Sequence, residues 1–530
     1  MINYIINFIL IGLIIFTPIA FGSVELWAFS LMELGILLII VLWAAQSLIL
    51  RTPNSELRTA RLSSPKSPNC AFKNLPAAIS YQPSALALIL LSLFLLLILF
   101  QMIPLPSDII KIVSPKTFAL RNSLTFDLSP LTSSYTFEPS ALNFQLSFVP
   151  FATRIEFFKW LTLSGFFFFL LHWRNSNRDV IRLILIIMLV GIAESLYGML
   201  EFFSGHGYIL HLDMQASAVT GTFINRNYFA GYLLMVIPLG FGYFFSREAL
   251  QRGRFMGWRH RLSSLDGKAL LIAFGIILMI LGLIFSASRM GIMSLLLSFS
   301  LISFLFRESQ KGQRFSKTTV LIFSLALLWA AWIGLDAVIS RFFGVSESFE
   351  KRWMFWVDTF QIFKTFPLIG SGLGTFTQVF PMYRSFHIRG LVTHTENDFL
   401  QLLSEVGLIG IGLLLFVFAF LFFRVVLAIR SFHSGDSKKY IGIGGLVGIL
   451  ALMFHSLVER NIQVPANAFL FTFIWALVLK ISTKETREIY PVCPVEKAYG
   501  VKCDLPCGVW KLLHGEPISL GPKKPEKFIP

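Results

Sequence analysis

Charged residues are scarce in this sequence. Only 14% of its 530 residues are Asp, Glu, Lys or Arg, whereas 55% are hydrophobic, and the mean hydropathy is +0.71. A soluble globular protein cannot hide so large an apolar fraction in its core. The composition therefore excludes a soluble globular domain and predicts a protein whose solvent is the lipid bilayer.

Several other signals are missing as well. No period of 20–50 residues marks a repeat protein, and the glycine-rich stretch 370–374 lacks the full spacing of a dinucleotide site. The cysteines match no common zinc pattern, and no basic and aromatic pattern suggests nucleic acid. The sequence thus predicts no metal, no cofactor and no nucleic-acid partner. The four cysteines are Cys70, Cys493, Cys503 and Cys507.

Long apolar runs dominate the chain. A hydrocarbon core of about 30 Å needs roughly 20 apolar residues per helix, and twelve segments approach that length. The first has no basic residue before it and no obvious cleavage site, so we interpret it as a retained helix rather than a signal peptide. The segments lie near 2–20, 26–50, 84–103, 157–173, 180–203, 227–245, 269–286, 291–306, 319–338, 405–423, 440–457 and 467–481.

The predicted fold class is an all-α polytopic integral membrane protein with about 12 transmembrane helices. Residues 1–481 form its membrane domain, with a long loop at about 339–404 between helices 9 and 10. Residues 396–404 are expected to form a short helix that leads into helix 10. Residues 482–530 are rich in Pro and Lys and are predicted to be a disordered tail.

Positive charge sets the orientation, because translocation of Lys and Arg is disfavoured. If the N-terminus is cytoplasmic, most of the 45 lysines and arginines fall in cytoplasmic loops or in the tail. All four cysteines fall there too, where thiols stay reduced. Both features predict cytoplasmic termini, and the net charge of +16 then faces the cytoplasm and anionic membrane lipid.

The same topology places isolated arginines and histidines on the outer side, and the arginines there depart from the positive-inside trend. A planar, permanently charged guanidinium suits a phosphate or diphosphate, and a histidine can accept a proton near neutral pH. Together they predict a group-transfer site. The alternatives are headgroup contact for each arginine and a structural hydrogen bond for the histidine. The outer polar residues include Arg226, Arg289, Arg352, Arg384, His387, Arg389, His394, Glu396, Asp398, His455, Glu459 and Arg460.

The stretch HTENDFLQLLSEVGLIG, residues 394–410, resembles the histidine-amide-acid motif of the O-antigen ligase superfamily. This superfamily includes lipopolysaccharide O-antigen ligases, Wzy-type polysaccharide polymerases and bacterial O-oligosaccharyltransferases. Four further stretches are similar to the family in their order and side of the membrane, and the resemblance covers about 220–470. They are TGTFINRNYFAGYLLM at 220–235, SASRMGIMSLLL at 286–297, RWMFWVDTFQIFKTFPLIGSGLGTF at 352–376 and HSLVERNIQVPANA at 455–468.

The resemblance implies a GT-C-like, metal-independent glycosyltransferase at the periplasmic face of the bacterial inner membrane. Its donor would be a polyprenyl-diphosphate-linked glycan, and its acceptor a glycan, a lipid A core or a protein hydroxyl. No nucleotide or metal is needed, because lipid diphosphate is already a good leaving group.

Site residues follow from the same resemblance. Arg226 and Arg289 would hold the donor diphosphate, with Arg352 beside them, and His394 would be the general base. In the commonest form of the motif the histidine directly precedes the Asn-Asp pair, whereas Glu396 stands there in this sequence. Glu396 is therefore a rival base. Four residues are assigned supporting roles: Asn397, Asp398, His455 and Glu459. The first two would either orient His394 or cap the helix that follows.

A transporter or flippase for a lipid-linked or anionic substrate is the alternative function. Transporters show inverted repeats and helices broken at the midplane. A transferase instead gathers its polar residues at one face beside a long outer loop. The sequence has the second pattern, which favours the transferase.

Overall fold

The structure, a computed structural model, describes most of the predicted membrane domain. The described residues are 2–51, 83–126, 145–173, 176–206, 208–213, 218–250, 267–305, 312–334, 345–388, 390–432 and 436–488. Arg389, the four cysteines and the predicted tail beyond residue 488 lie outside these ranges.

Helices are the main regular structure of the described chain. Its other regular elements, within the described ranges, are a hairpin of β1 (Tyr208–Ile209) and β2 (Leu212–Asp213) and two 3₁₀ turns at Phe21–Ser23 and Phe380–Met382. The helices are α1 (Ile2–Ile19), α2 (Leu26–Arg51), α3 (Pro83–Met102), α4 (Ser107–Val113), α5 (Pro115–Phe126), α6 (Pro150–His172), α7 (Asn177–Ser204), α8 (Arg226–Leu250), α9 (Gly267–Phe285), α10 (Arg289–Leu305), α11 (Gly312–Ile333), α12 (Val345–Thr365), α13 (Phe376–Val379), α14 (Asp398–Ser431), α15 (Ser437–His455) and α16 (Pro465–Glu488).

Over the residues that the structure describes, each of the twelve predicted apolar segments coincides with a helix. Within the described ranges, nine helices are long and apolar enough to cross a membrane, namely α1, α2, α3, α6, α7, α8, α9, α14 and α15. Three shorter apolar helices, α10, α11 and α16, accompany them. The all-α polytopic membrane class is thereby confirmed, whereas the number of twelve spans and the long outer loop stay predictions.

Helices α8 and α15 pack together at the centre of the bundle. Every residue in the apolar window of α8 is buried. A Cβ added to Gly444 would lie 2.4 Å from the Pro238 carbonyl oxygen, and one on Gly448 would lie 2.9 Å from that of Met235. The two backbones can approach so closely because small residues line the contact. This contact fixes the start of α8 and the end of α15 at one end of the bundle, which we call the Arg226 end.

Buried polar side chains connect the chain at the Arg226 end. The Thr222 hydroxyl donates to the Pro18 carbonyl oxygen at 2.8 Å, and the Thr222 N–H donates to the Glu194 carboxylate at 2.8 Å. The Gln101 amide donates to the Ile369 carbonyl oxygen at 2.8 Å. Buried backbone groups need such partners where a helix ends. The ends of α1 and α3, and Glu194 of α7, are thus connected to the loops that surround the polar residues.

Helix α14 begins at Asp398 and breaks at Gly407, whose φ is 64°. A Cβ at this position would lie 2.3 Å from the Leu368 carbonyl oxygen, so glycine is required by both the backbone angle and the close approach. A short first part of α14 therefore leads into the long apolar helix, in agreement with the short helix predicted for 396–404. Before it, the predicted loop contains helix α12, which the apolar pattern did not predict.

Candidate functional site

The turn between α15 and α16, residues 455–462, is where the polar side chains of the Arg226 end meet. Its sequence is HSLVERNI, and we call it the 455–462 turn. Side chains from α8, from the residue before α10, from α12, from the segment before α14 and from the start of α14 all hydrogen-bond to it. Four separated parts of the chain, around residues 227, 288, 352 and 394–398, therefore converge on eight consecutive residues.

Glu459 connects two helices to this turn. Its side chain is buried, and its carboxylate accepts from the Arg352 guanidinium of α12 and from the Asn227 amide of α8, the latter at 2.7 Å. Burial raises the pKa of the Glu459 carboxyl above its usual range, and the charge of Arg352 opposes that rise. Because Asn227 directly follows Arg226, this contact places Arg226 beside the turn.

His455 connects the start of α10 to the 455–462 turn. Its Nδ1 lies 2.8 Å from the Asn461 amide nitrogen, and its Nε2 lies 3.4 Å from the Ser288 hydroxyl. The Asn461 amide oxygen accepts from Asn467 at 3.0 Å, so its nitrogen faces His455 and donates. His455 therefore carries its proton on Nε2. Since Ser288 directly precedes Arg289, the first residue of α10 also lies beside the turn.

Asp398 binds the start of α14 to the turn. One oxygen of its carboxylate accepts from the backbone N–H groups of Asn461 and Ile462, each at 2.7 Å. The Asn397 side chain accepts from the Leu400 N–H at 3.0 Å and so caps α14. Of the two predicted roles for Asn397, the structure shows the cap. Asp398 acts on the turn, and neither side chain hydrogen-bonds His394.

His394 lies against the turn through Arg460. The Arg460 guanidinium donates to Nε2 of the imidazole. Because a guanidinium has donors only, Nε2 must be unprotonated and the ring proton is on Nδ1. Burial, followed by the charges of Arg460 and Lys159, lowers the pKa of His394 to about 2. The ring is therefore neutral.

Helix α12 holds the backbone next to His394. The Trp356 indole N–H donates to the Thr395 carbonyl oxygen at 3.1 Å, and the Thr395 hydroxyl lies 2.7 Å from that of Thr359. The next residue, Glu396, has a φ of 55°, in the left-handed region that an L side chain adopts at a cost. Such strained backbone is common at functional sites.

Glu396 remains a rival base on chemical grounds. Burial raises the pKa of its carboxyl, while the charges of Arg352 and Arg460 lower it. A carboxyl between two arginines can position them or accept a proton. The two predicted bases thus lie in one cluster with the same arginine between them.

Most of the predicted site residues come together here. Arg352, His394, Glu396, Asp398, His455 and Glu459 contact the turn, belong to it or lie beside its arginine, and Arg226 and Arg289 each follow or precede a residue that contacts it. Sequence reasoning gave no role to Arg460 or Asn461, and it missed Asn227 and Ser288. Their signal was proximity in the sequence, since each is a polar residue within two positions of a predicted site residue in an apolar chain. Within the described residues, no group of three or more His, Cys, Asp or Glu residues is placed to hold a metal ion.

Comparison with known families finds a match for part of the chain. Residues 274–417 match the family model described as O-antigen ligase. This match supports membership of the chain in the O-antigen ligase superfamily. The matched range runs from α9 into α14 and includes Arg289, Arg352, His394 and Glu396. No curated protein matches the chain with significant similarity.

This match supports a general activity, that of a glycan transferase with a glycan or lipid-linked substrate and an acceptor. The match and the apolar helices together indicate a multi-pass bacterial membrane protein.

Proposed function

We propose that the protein moves a saccharide from a polyprenyl-diphosphate carrier to an acceptor hydroxyl, as an O-antigen ligase or a polysaccharide polymerase. The observation that carries this proposal is the convergence of four chain segments on the 455–462 turn, at one end of the bundle. It brings arginines and two candidate bases into one place. That combination suits an anionic donor and a hydroxyl acceptor.

Arg226 and Arg289 are the proposed donor-binding residues, with Arg352 beside them. Arg226 is the first residue of α8 and Arg289 the first of α10. A helix N-terminus presents free N–H groups and the positive end of the helix dipole, both of which favour phosphate. A guanidinium adds charge-assisted, bidentate hydrogen bonds. The diphosphate is therefore proposed to lie between these two helix starts.

The chemical step is a displacement at the sugar's anomeric carbon. The acceptor oxygen forms a bond to C1, the bond between C1 and the phosphate oxygen breaks, and its electron pair leaves with the lipid diphosphate. The acceptor proton passes to His394, or to Glu396 if that carboxylate is the base. Asp398 and His455 hold the turn, Glu459 positions Arg352, and Asn397 caps α14.

The proposed location is the bacterial inner membrane, with cytoplasmic termini and a periplasmic active site. Positive charge in the predicted cytoplasmic loops supports this orientation. The acceptor is a glycan, a lipid A core or a protein, and the surrounding partner is membrane lipid.

A transporter receives less support than a transferase. In transporters, helices break near the midplane around the substrate. Here the break at Gly407 lies close to the start of α14, and Glu405 beside it accepts from the backbone N–H groups of Gly374 and Phe376. The residues at the break therefore bind a loop of the protein itself, which does not support a substrate site there.

Reconstitution tests the proposed function. The purified protein in nanodiscs receives a polyprenyl-diphosphate-linked glycan and an acceptor, with EDTA present and no nucleotide, and the product is identified by mass spectrometry. Transfer under these conditions is expected. A strict need for a divalent metal or a nucleotide would contradict the proposal, and the glycan profile of a deletion strain separates ligase from polymerase.

A further inference from the structure

A hydrogen bond from Arg460 occupies the nitrogen that His394 would use as a base. His394 uses its Nε2 lone pair to accept from the Arg460 guanidinium. A lone pair that accepts one hydrogen bond cannot at the same time take the proton of an acceptor hydroxyl. Nε2 therefore has to lose its arginine before it can act.

The other ring nitrogen offers no substitute. Since Nε2 is unprotonated, Nδ1 carries the proton of the neutral ring. Nδ1 is buried and has no hydrogen-bond partner among the described residues. In this conformation, His394 lies at the site but cannot accept a proton.

Arg460 has an unused donor and a fixed backbone. Its Nε is buried without a hydrogen-bond partner in the described part of the chain. On one side, the Glu459 carboxylate is held by Arg352 and Asn227, and on the other, the Asn461 N–H is held by Asp398. The backbone on both sides is therefore anchored, so a change at this position has to be a movement of the side chain.

We propose that the hydrogen bond from Arg460 keeps His394 from acting as a base, and that the donor's diphosphate breaks this bond. We call this contact the lock. This inference rests on the proposed function. A charge-assisted bond between a guanidinium and a phosphate oxygen is stronger than one to a neutral imidazole. When the diphosphate binds near Arg226 and Arg289, Arg460 turns to it and Nε2 of His394 becomes free. The base is then active only in the donor-bound protein.

The lock orders the proposed reaction. With the donor bound, the acceptor O–H proton moves to the free Nε2, the oxygen bonds to C1, and the C1–O bond to the diphosphate breaks with its electron pair on the leaving group. Departure of the lipid diphosphate lets Arg460 return to His394. Donor binding thus has to precede acceptor deprotonation.

Carbethoxylation with diethyl pyrocarbonate measures the lock directly, because the reagent attacks an unprotonated imidazole nitrogen. The labelling rate of His394 is followed by peptide mass spectrometry, with and without farnesyl diphosphate as the probe and with farnesol as its uncharged control. Exposed His387 serves as the internal reference. We expect slow labelling of His394 that rises several-fold with farnesyl diphosphate and is unchanged by farnesol.

Two variants test the cause. Arg460→Met removes the donor to Nε2, so His394 should label fast from the outset and should not respond to the probe. Arg460→Lys gives the same test if the methionine variant fails to fold, with labelling faster than in the wild type. Arg154→Met is the matched control, because Arg154 is an exposed arginine at the same end of the bundle and lies outside the site.

The outcomes separate the lock from the proposed function. If the probe leaves labelling unchanged or slows it in the wild type, or if Arg460→Met labels as slowly as the wild type, the lock is wrong. Neither of these results contradicts glycan transfer, which the reconstituted reaction measures separately. If labelling responds as expected but no lipid-linked donor supports transfer, the proposed function fails and a diphosphate-released histidine remains.

Discussion

The guanidinium of Arg352 hydrogen-bonds the carboxylate of Glu459 across 107 positions of the chain. The other oxygen of the same carboxylate accepts from Asn227, 232 positions away from it. A single buried side chain therefore joins α12, α8 and the 455–462 turn. The arginines proposed to bind the donor depend on this connection for their positions.

Removal of Arg352 should destabilise the protein more than removal of the whole pair. Arg352→Met leaves the Glu459 carboxyl buried without its cation, and breaking a buried ion pair costs up to about 3–5 kcal/mol. Arg352→Met combined with Glu459→Gln should recover part of that loss. Thermal unfolding of the detergent-purified proteins measures this, and a double variant as unstable as the sum of its single changes would argue against the pairing.

Arg226 and Arg289 should each be needed for transfer. Arg226→Ala and Arg289→Ala should lose most of the activity, and the lysine variants should recover only part, because lysine keeps the charge but loses the planar fork. Initial rates with a lipid-linked donor measure the effect. Full activity in the lysine variants would mean that charge alone matters, and wild-type rates in the alanine variants would leave headgroup contact as the explanation.

The base can be assigned by paired substitutions. A positioned general base contributes about 10²–10⁴-fold, so His394→Ala should reduce transfer by that order without changing expression or membrane insertion. Glu396→Gln should be far less impaired. If Glu396→Gln is inactive while His394→Ala turns over normally, the base is Glu396. Two active variants would place the base elsewhere.

The pH profile of kcat/KM gives an independent test, since it reports the free enzyme. An isolated histidine titrates near about 6.5 and a glutamate near about 4.3. Here burial and the charges of Arg460 and Lys159 lower the pKa of His394 to about 2, whereas burial raises that of Glu396. With His394 as the base, the rate should therefore hold as the pH falls through 6.5. A fall at a pH above about 4.3 that persists in His394→Ala would identify the carboxylate instead.

Opposite ends of α14 should face opposite compartments. Thr393 and Ser431 are exposed near its two ends. In a background without the four native cysteines, Thr393→Cys should react with an impermeant maleimide in cells with a permeabilised outer membrane. Ser431→Cys should react only after the inner membrane is broken. The reverse pattern would place the site in the cytoplasm and exclude the proposed donor.

The sequence by itself determined the class of protein and most of the helices. Apolar runs of about 20 residues need no tertiary information, because lipid around a single helix already requires them. In the described part of the chain, each of the twelve predicted runs coincides with a helix for that reason. Helix α12 was missed, because it is not apolar enough to stand out and its Phe and Trp residues share the segment with Glu, Lys and Arg.

The partners of the site residues were decided only by the tertiary structure. The sequence left open whether Asn397 caps a helix or orients His394, and it gave Arg460 no role. The contact between Arg460 and His394 spans 66 positions, and the one between Asp398 and Asn461 spans 63. Residue types restrict which side chains can donate or accept. Which donor meets which acceptor depends on how the helices pack, and that packing brings the 455–462 turn against four distant parts of the chain.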